Sequence, residues 1–157
     1  MTTTGNDAWH DKLAIEEVTV RYSDAVTRSD WDAFEATWMP DAVWEESPPV
    51  SLRVVGARAI RDRVAAMIDT ADFLVQTTHG TVVNLEADDR ASSTTTIHAI
   101  GRVGETSFVN FGIYYGDLVK SDGIWRFSRR RLQSVYSDYS PLNGPVSITR
   151  AELQATL

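Results

Sequence analysis

The sequence contains no cysteine among its 157 residues, which excludes disulfides, thiolate-bound metals and a thiol nucleophile. Basic residues are also scarce, because fifteen lysines and arginines stand against twenty-two acidic residues, for a net charge of −7. An acidic chain repels phosphate backbones and anionic lipid, so we expect neither nucleic acid nor a membrane as partner. Only three histidines are available for proton transfer near neutral pH.

Long apolar runs are missing as well, since no stretch approaches the roughly 20 residues that a membrane-spanning helix requires. Residues 1–8 lack the basic start and apolar centre of a signal peptide, so we expect a disordered tail and a cytoplasmic protein. The sequence has no HExxH motif, no acidic metal-binding loop and no glycine-rich phosphate loop. We therefore expect no metal and no cofactor.

What is present, 43% hydrophobic and 24% charged residues, is typical of one globular domain. Helical periodicity covers about 8–28 and 57–70, and a shorter helix that carries Trp38 is predicted to end at Pro40. Stretches rich in β-branched and aromatic residues follow, and they predict short strands at 42–46 and 52–55 and long ones at 73–86, 91–103, 107–120 and 125–136. Helices followed by an antiparallel meander indicate an α+β fold with a pocket between them.

Strand alternation provides an orientation for two of the histidines. Odd-numbered residues from Phe73 to Leu85 form a mostly apolar row that includes His79, which we expect to face inward. An inward histidine either transfers protons or is a core residue bonded to a backbone carbonyl. His98 lies in a more polar row, for which solvent, a subunit contact and the pocket are all open.

Three consecutive arginines, 129–131, lie in the last predicted strand. Alternation sends Arg130 to the face opposite its two neighbours. We therefore expect at least one of the three to be solvated and at least one to reach the pocket or pair with a carboxylate.

The segment Tyr22–Asp41, Tyr-Ser-Asp-Ala-Val-Thr-Arg-Ser-Asp-Trp-Asp-Ala-Phe-Glu-Ala-Thr-Trp-Met-Pro-Asp, resembles the opening of SnoaL-like proteins of the nuclear-transport-factor-2-like superfamily. Thr78-His79 and the later Asp-Gly-Ile-Trp-Arg-Phe run follow in the same order. The resemblance divides the chain into a tail at 1–8, a SnoaL-like domain at 9–145 and an extension at 146–157. It implies a cystatin-like α+β roll, in which a strongly curved mixed sheet forms a cone and N-terminal helices close a deep apolar pocket.

The layout resembles those of scytalone dehydratase, bile-acid 7α-dehydratase and hexachlorocyclohexane dehydrochlorinase, which perform eliminations without a cofactor through a His–Asp dyad. The family histidine falls on His79, but the family aspartate falls on Thr27, which carries no charge. Without that carboxylate His79 is a weaker base. Glu46 occupies the position of a pocket tyrosine in the two dehydratases and is either the substitute acid or a solvated residue at a strand end.

The resemblance implies a dehydratase, isomerase or cyclase that acts on a small apolar, cyclic or polyketide-like molecule, with His79 and Glu46 as catalytic residues. The residues expected to bind the substrate are Tyr22, Thr27, Trp44, Tyr114, His98 and Arg130. A homodimer or homotrimer is expected from related proteins. Two alternatives remain: a non-catalytic ligand-binding or dimerisation module, and the small β-subunit of a ring-hydroxylating dioxygenase.

Overall fold

The computed structural model describes residues 5–156, in which the N-terminal helices precede the long strands. The elements are α1 (Gly5–Arg28), α2 (Trp31–Ala36), β1 (Trp38–Glu46), β2 (Leu52–Val55), α3 (Ala57–Ile68), β3 (Phe73–Ala87), β4 (Arg90–Val103), β5 (Thr106–Ser121), β6 (Ile124–Asp138) and α4 (Arg150–Gln154). The α+β class predicted from the sequence is confirmed. No helix in residues 5–156 is long and apolar enough to cross a membrane.

Two boundaries near the N-terminus differ from the prediction. Helix α1 already includes residues 5–8, while residues 1–4 of the expected tail lie outside the described residues. The prediction that Trp38 ends the second helix is wrong, because α2 stops at Ala36 and Trp38 is the first residue of β1. Pro40 lies within β1, where the pairing with β6 is interrupted between Trp38 and Val43, so its missing N–H breaks no ladder.

The six strands form one open mixed sheet in the order β2-β1-β6-β5-β4-β3. Strands β3 to β6 are the predicted antiparallel meander, and β1 joins it by pairing parallel to β6. We call the side of the sheet that carries Trp44, Tyr114 and Phe127 the inner face, and the opposite side the outer face. The inner face packs against α1 and α3, and this packing forms the core.

Aromatic side chains fill the centre of that core. The ring of Tyr22, from α1, lies 5.0 Å from Phe34, 5.8 Å from Trp38 and 6.3 Å from Phe127, measured between centroids. All four side chains are almost completely buried. Tilted and edge-to-face contacts of this kind add to the free energy gained from burying the rings.

β-Bulges in β3 and β6 change which residues face inward. In β3 the pairing with β4 shifts between Thr78 and Thr81, around Gly80, whose φ of 94° is unfavourable for other residues. Leu74 is therefore buried before the bulge and Val83 after it, although one position is even and the other odd. The prediction that odd positions face inward throughout β3 is wrong before the bulge.

A bulge at Ser128 in β6 has the same effect. The pairing with β5 shifts between Asp117 and Leu118, opposite Ser128. Phe127 and Arg130, three residues apart, are in consequence both buried on the inner face. Gly116 pairs with Arg130 across the two strands, and a Cβ there would lie 2.7 Å from the Ser93 hydroxyl and 3.2 Å from the Phe127 ring.

The segment after β6 returns across the sheet before α4. Arg102 donates a hydrogen bond to the Leu142 carbonyl at 2.7 Å, and the Leu142 N–H donates to the Ser107 hydroxyl at 3.0 Å. Thr149 then caps α4 through a reciprocal capping box with Glu152. These bonds hold the C-terminal residues against the domain.

Candidate functional site

A cavity of about 330 Å³ opens between the inner face and helices α1 and α3. Helix α3 contributes an apolar wall through Val64, Met67 and Ile68, and the strands contribute mainly apolar and aromatic side chains. The helical spacing of the α3 residues follows the periodicity read from the sequence. A small cavity with an apolar lining and few polar groups is typical of a binding site for a small molecule.

In the part of the chain that the structure describes, Glu46 is the only carboxylate that lines this cavity. It follows Trp44 on the same face of β1, at the end of the strand, and it is half-buried. Burial raises the pKa of the Glu46 carboxyl, and the positive charge of Arg63 opposes this effect only in part. Among the described residues Glu46 has no hydrogen bond or ion pair to hold it in its charged form.

The neighbouring Glu45 has the opposite surroundings. Its carboxylate lies 2.6 Å from the guanidinium of Arg129 and 3.3 Å from that of Arg53. Hydrogen bonds from Arg129 lower the pKa of Glu45, although partial burial raises it slightly. Strand alternation thus separates a paired carboxylate on the outer face from an unpaired one at the cavity.

Two of the residues that line the cavity, Tyr22 and Tyr114, bring their hydroxyl groups together. The hydroxyl oxygens of Tyr22 and Tyr114 lie 3.2 Å apart, and both side chains are buried. Burial raises the pKa of each phenol, so both hydroxyls stay protonated at neutral pH and remain hydrogen-bond donors. Arg130 does not line the cavity, because its buried guanidinium lies against the rings of these two tyrosines.

His79 lies on the outer face and is exposed, so the prediction that it faces the pocket is wrong. The bulge at Gly80 is the reason, because the residues of β3 that line the cavity are Leu74 and Gln76. The Thr77 hydroxyl lies 3.4 Å from Nε2 of His79. An isolated glycine inside a strand pattern is a signal for such a bulge.

His98 also belongs to the outer face, as its polar row allowed. Its ring stacks on Phe111 with centroids 4.3 Å apart, and the His79 ring lies 6.3 Å away. Neither histidine lines the cavity.

Thr27 connects two elements and does not line the cavity. Its hydroxyl donates to the Gln76 carbonyl at 3.3 Å and accepts from the Gln76 N–H at 3.0 Å. The Gln76 side chain, which sequence alternation had assigned to the other face, lines the cavity and donates to the Ser23 hydroxyl at 3.0 Å.

Of the predicted site residues, the structure brings Tyr22, Trp44, Glu46 and Tyr114 together at one cavity. It places Arg130 behind the two tyrosines and leaves His79, His98 and Thr27 outside. Within residues 5–156, no three histidine, aspartate or glutamate side chains are grouped closely enough to hold a metal ion.

A sequence profile described as the SnoaL-like domain matches residues 7–131. A scytalone dehydratase-like protein from Novosphingobium aromaticivorans is similar in structure, with 18% identity and a TM-score of 0.77 over 90% of this chain and 97% of that one. The hexachlorocyclohexane dehydrochlorinase LinA-type3 of Novosphingobium barchaimii gives 17% identity and a TM-score of 0.78, covering 92% and 99% of the two chains.

A protein with a cystatin-like fold from Nostoc punctiforme shares 18% identity and gives a TM-score of 0.67, over 85% of this chain and 95% of that one. No curated protein matches the sequence. At these identities the structural likenesses concern the fold, and the chemistry has to be argued from the cavity itself.

Proposed function

Because the chain belongs to the SnoaL-like domain family, we propose that it is a cofactor-independent acid–base enzyme with Glu46 as its proton-transfer group. The observation that carries the proposal is the unpaired carboxyl of Glu46 at the edge of an apolar cavity, where burial raises its pKa. A carboxyl in such surroundings exchanges protons closer to neutral pH than an ordinary glutamate does.

Glu46 would act as a base by removing a proton from a carbon atom of the substrate. The protonated carboxyl would then return a proton, either to another carbon in an isomerisation or to a departing hydroxyl in a dehydration. A positioned group of this kind contributes a rate factor of about 10²–10⁴. The remaining acceleration would come from holding the substrate in a cavity that contains little water.

The substrate class follows from the size and lining of the cavity. A volume of about 330 Å³ is at the lower end of the range for small-molecule pockets and suits a compact, largely apolar molecule. Trp44 and the α3 residues would provide the apolar wall, and Tyr22 and Tyr114 would orient an oxygen atom of the substrate. Dehydration, isomerisation and cyclisation all begin with the same proton transfer.

His79 and Thr27 have no part in this proposal. His79 is exposed on the outer face, and the Thr27 hydroxyl is hydrogen-bonded to the backbone of Gln76. The absence of an imidazole from the cavity lining favours a second candidate, a ligand-binding or dimerisation module without catalysis. In that case Glu46 would recognise a ligand and transfer no proton.

Elimination of 5-nitrobenzisoxazole tests the proposal without knowledge of the natural substrate. A base removes the ring C–H proton, the N–O bond breaks, a nitrile forms and the oxygen leaves as a coloured phenolate. We expect Glu46→Gln to lower kcat/KM by about 10²–10⁴-fold, because the amide cannot accept the proton. Glu45→Gln is the matched control and should retain the kcat/KM of the natural sequence. The separate variant His79→Ala should retain it as well.

The pH profile gives a second readout of the same reaction. Only the ionised carboxylate is a base, so kcat/KM should rise with pH and level off above a midpoint higher than that of an ordinary glutamate. Full activity of Glu46→Gln would overturn the assignment. Tight binding of the probe with no elimination by the natural sequence would favour the non-catalytic candidate.

A further inference from the structure

Arg130 is the most unusual charged group of the inner face. Its side chain is only 1% exposed, and all three guanidinium nitrogens lack a hydrogen-bond partner among the described residues. Buried charges in proteins are normally paired, because an unpaired one destabilises the fold. Burial lowers the pKa of Arg130, yet the group stays charged at neutral pH because a guanidinium is too strong a base to lose its proton in a protein.

Aromatic rings surround this charge in place of a carboxylate. The guanidinium carbon lies 4.1 Å from the ring centroid of Tyr22, 4.0 Å from that of Tyr114 and 4.3 Å from that of Phe127. Ring faces attract a cation but do not neutralise it. Glu45, which follows the strand partner of Arg130, is paired with Arg129 on the outer face.

The surrounding polar groups are donors as well. The indole N–H groups of Trp38 and Trp44 are buried with no hydrogen bond of good geometry among the described residues, and Trp44 pairs directly with Arg130 between β1 and β6. This part of the core therefore contains a surplus of positive charge and hydrogen-bond donors. Such a surplus favours negative charge on an atom placed beside it.

Tyr22 and Tyr114 lie between the Arg130 charge and the cavity, so they connect the region that favours negative charge with the place where a substrate would bind. One side of each ring faces the Arg130 charge, and both residues line the cavity with hydroxyls that lie 3.2 Å apart. Burial raises the pKa of both phenols and keeps them protonated donors, although the charge of Arg130 favours their ionisation. At Tyr114 the negative charge of Glu46 also opposes ionisation. A cation behind a phenol ring polarises its O–H bond and strengthens the hydrogen bond that it donates.

We propose that Arg130 is a positioning residue whose charge makes the Tyr22–Tyr114 hydroxyl pair a site for a substrate oxygen that becomes negative during the reaction. This inference rests on the acid–base function proposed above and narrows its substrate class to ketones that carry a C–H group next to the carbonyl. Glu46 removes the proton on the carbon next to the carbonyl, and the electron pair of the C–H bond moves to the carbonyl oxygen to form an enolate. The tyrosine hydroxyls hold that oxygen until Glu46 returns its proton.

Binding of 4-nitrophenol and its neutral analogue 4-nitroanisole tests the role of Arg130 without any turnover. The absorbance of nitrophenol reports its ionisation, and we expect the bound probe to ionise at a lower pH than the free one. In Arg130→Met the affinity for the phenolate should fall at least roughly tenfold, and this ionisation shift should disappear. The affinity for 4-nitroanisole should change by less than about twofold, because that probe carries no charge.

Control variants separate the electrostatic role from a structural one. Arg131→Met removes the same charge from the outer face, where Arg131 lies over Tyr115, and should leave both probes unaffected. Arg130→Met should fold with an unchanged or higher Tm, because a buried unpaired charge is replaced by an apolar side chain. Tyr114→Phe keeps the ring against Arg130 but removes one hydroxyl, so it should also weaken phenolate binding selectively.

The outcomes distinguish this inference from the proposed function. Equal losses for both probes in Arg130→Met, or no loss for either, would overturn the role of Arg130. Glu46→Gln should still bind the phenolate, because the base is not needed for binding. An inactive Glu46→Gln with intact binding supports both proposals, whereas an active one refutes the catalytic role of Glu46 and leaves the phenolate site standing.

Discussion

Strands β1 and β6 carry glutamate and arginine side chains on both faces of the sheet, and the two faces give these side chains opposite surroundings. On the outer face Glu45 is paired with Arg129 at 2.6 Å and with Arg53 at 3.3 Å. On the inner face Glu46 and Arg130, each one residue further along, have no hydrogen bond or ion pair among the described residues. Since the two faces share their backbone, the difference comes from where each side chain points.

The outer charges behave as ordinary surface charges, whose attraction is weakened by water and salt. The inner charges oppose folding, because burial favours the neutral form of Glu46 and leaves Arg130 without an acceptor. Groups held in unfavourable surroundings are concentrated at functional sites. The contrast therefore supports the proposal of a functional site on the inner face.

The two faces should differ most in how much stability the protein loses when a side chain is truncated. Phe127→Ala should reduce the free energy of unfolding by about 3–5 kcal/mol, because it leaves a cavity between Tyr22, Trp38 and Arg130. Arg126→Ala, the preceding residue, should change it by less than about 0.5 kcal/mol. Denaturant titration measures both values, and similar losses would contradict the assignment of the two faces.

A smaller difference in stability is expected at Gly116, where the inner face has no room for a side chain. Gly116→Ala would place a methyl group 2.7 Å from the Ser93 hydroxyl, so we expect a loss of about 1–3 kcal/mol. The neighbouring Asp117 is exposed, and Asp117→Ala should stay within about 0.5 kcal/mol. If the glycine variant proved as stable as the aspartate variant, β5 would not be packed as described.

The ion pair between Glu45 and Arg129 on the outer face should contribute even less to the free energy of unfolding. A double-mutant cycle on Glu45→Gln and Arg129→Met should give a coupling energy below about 1 kcal/mol, since the arginine is half exposed. The coupling should decrease further as salt is added. A coupling of several kcal/mol would show that the outer face is not an ordinary solvated surface.

The smallest effects are shifts of stability with pH, and they should have opposite signs on the two faces. Burial raises the folded-state pKa of Glu46, so the native protein loses stability as pH rises from the ordinary glutamate range through that raised pKa. Glu46→Gln should therefore raise Tm at neutral pH and have no effect in acid.

Glu45 should behave in the reverse manner. Its folded-state pKa is lowered by Arg129, so the stability it contributes is present above the ordinary glutamate pKa and lost as pH falls through the lowered one. Glu45→Gln should lower Tm at neutral pH and have no effect in acid. Shifts of the same sign for both variants would contradict the contrast.

Most of the fold was accessible from the sequence. Hydrophobic periodicity indicated the helices, and runs of β-branched and aromatic residues between turns indicated the four long strands. Trp38 was assigned to a helix because the short apolar spacing around it fits either structure, and burial against Tyr22 and Phe127 decides for a strand.

The site was only partly accessible, since period-2 alternation assumes an unbroken strand. A bulge of one residue exchanges the faces, which is why His79 points outward and Gln76 inward. Gly80 was the local signal for that bulge. Trp44 lines the cavity as expected, and of the two readings left open for Glu46 the inward one fits its place in the lining, because β1 is regular between Val43 and Glu46.

The central claim, that Glu46 is the unpaired carboxyl of an apolar cavity, is tested most directly by carbon-13 NMR titration of the side-chain carboxyls. Glu45 and Glu46 are followed in the same sample and assigned with Glu45→Gln and Glu46→Gln. We predict a midpoint for Glu46 above the ordinary glutamate value of 4.5 and a midpoint for Glu45 below it. A midpoint for Glu46 at or below that value would mean a solvated carboxyl and would contradict the account.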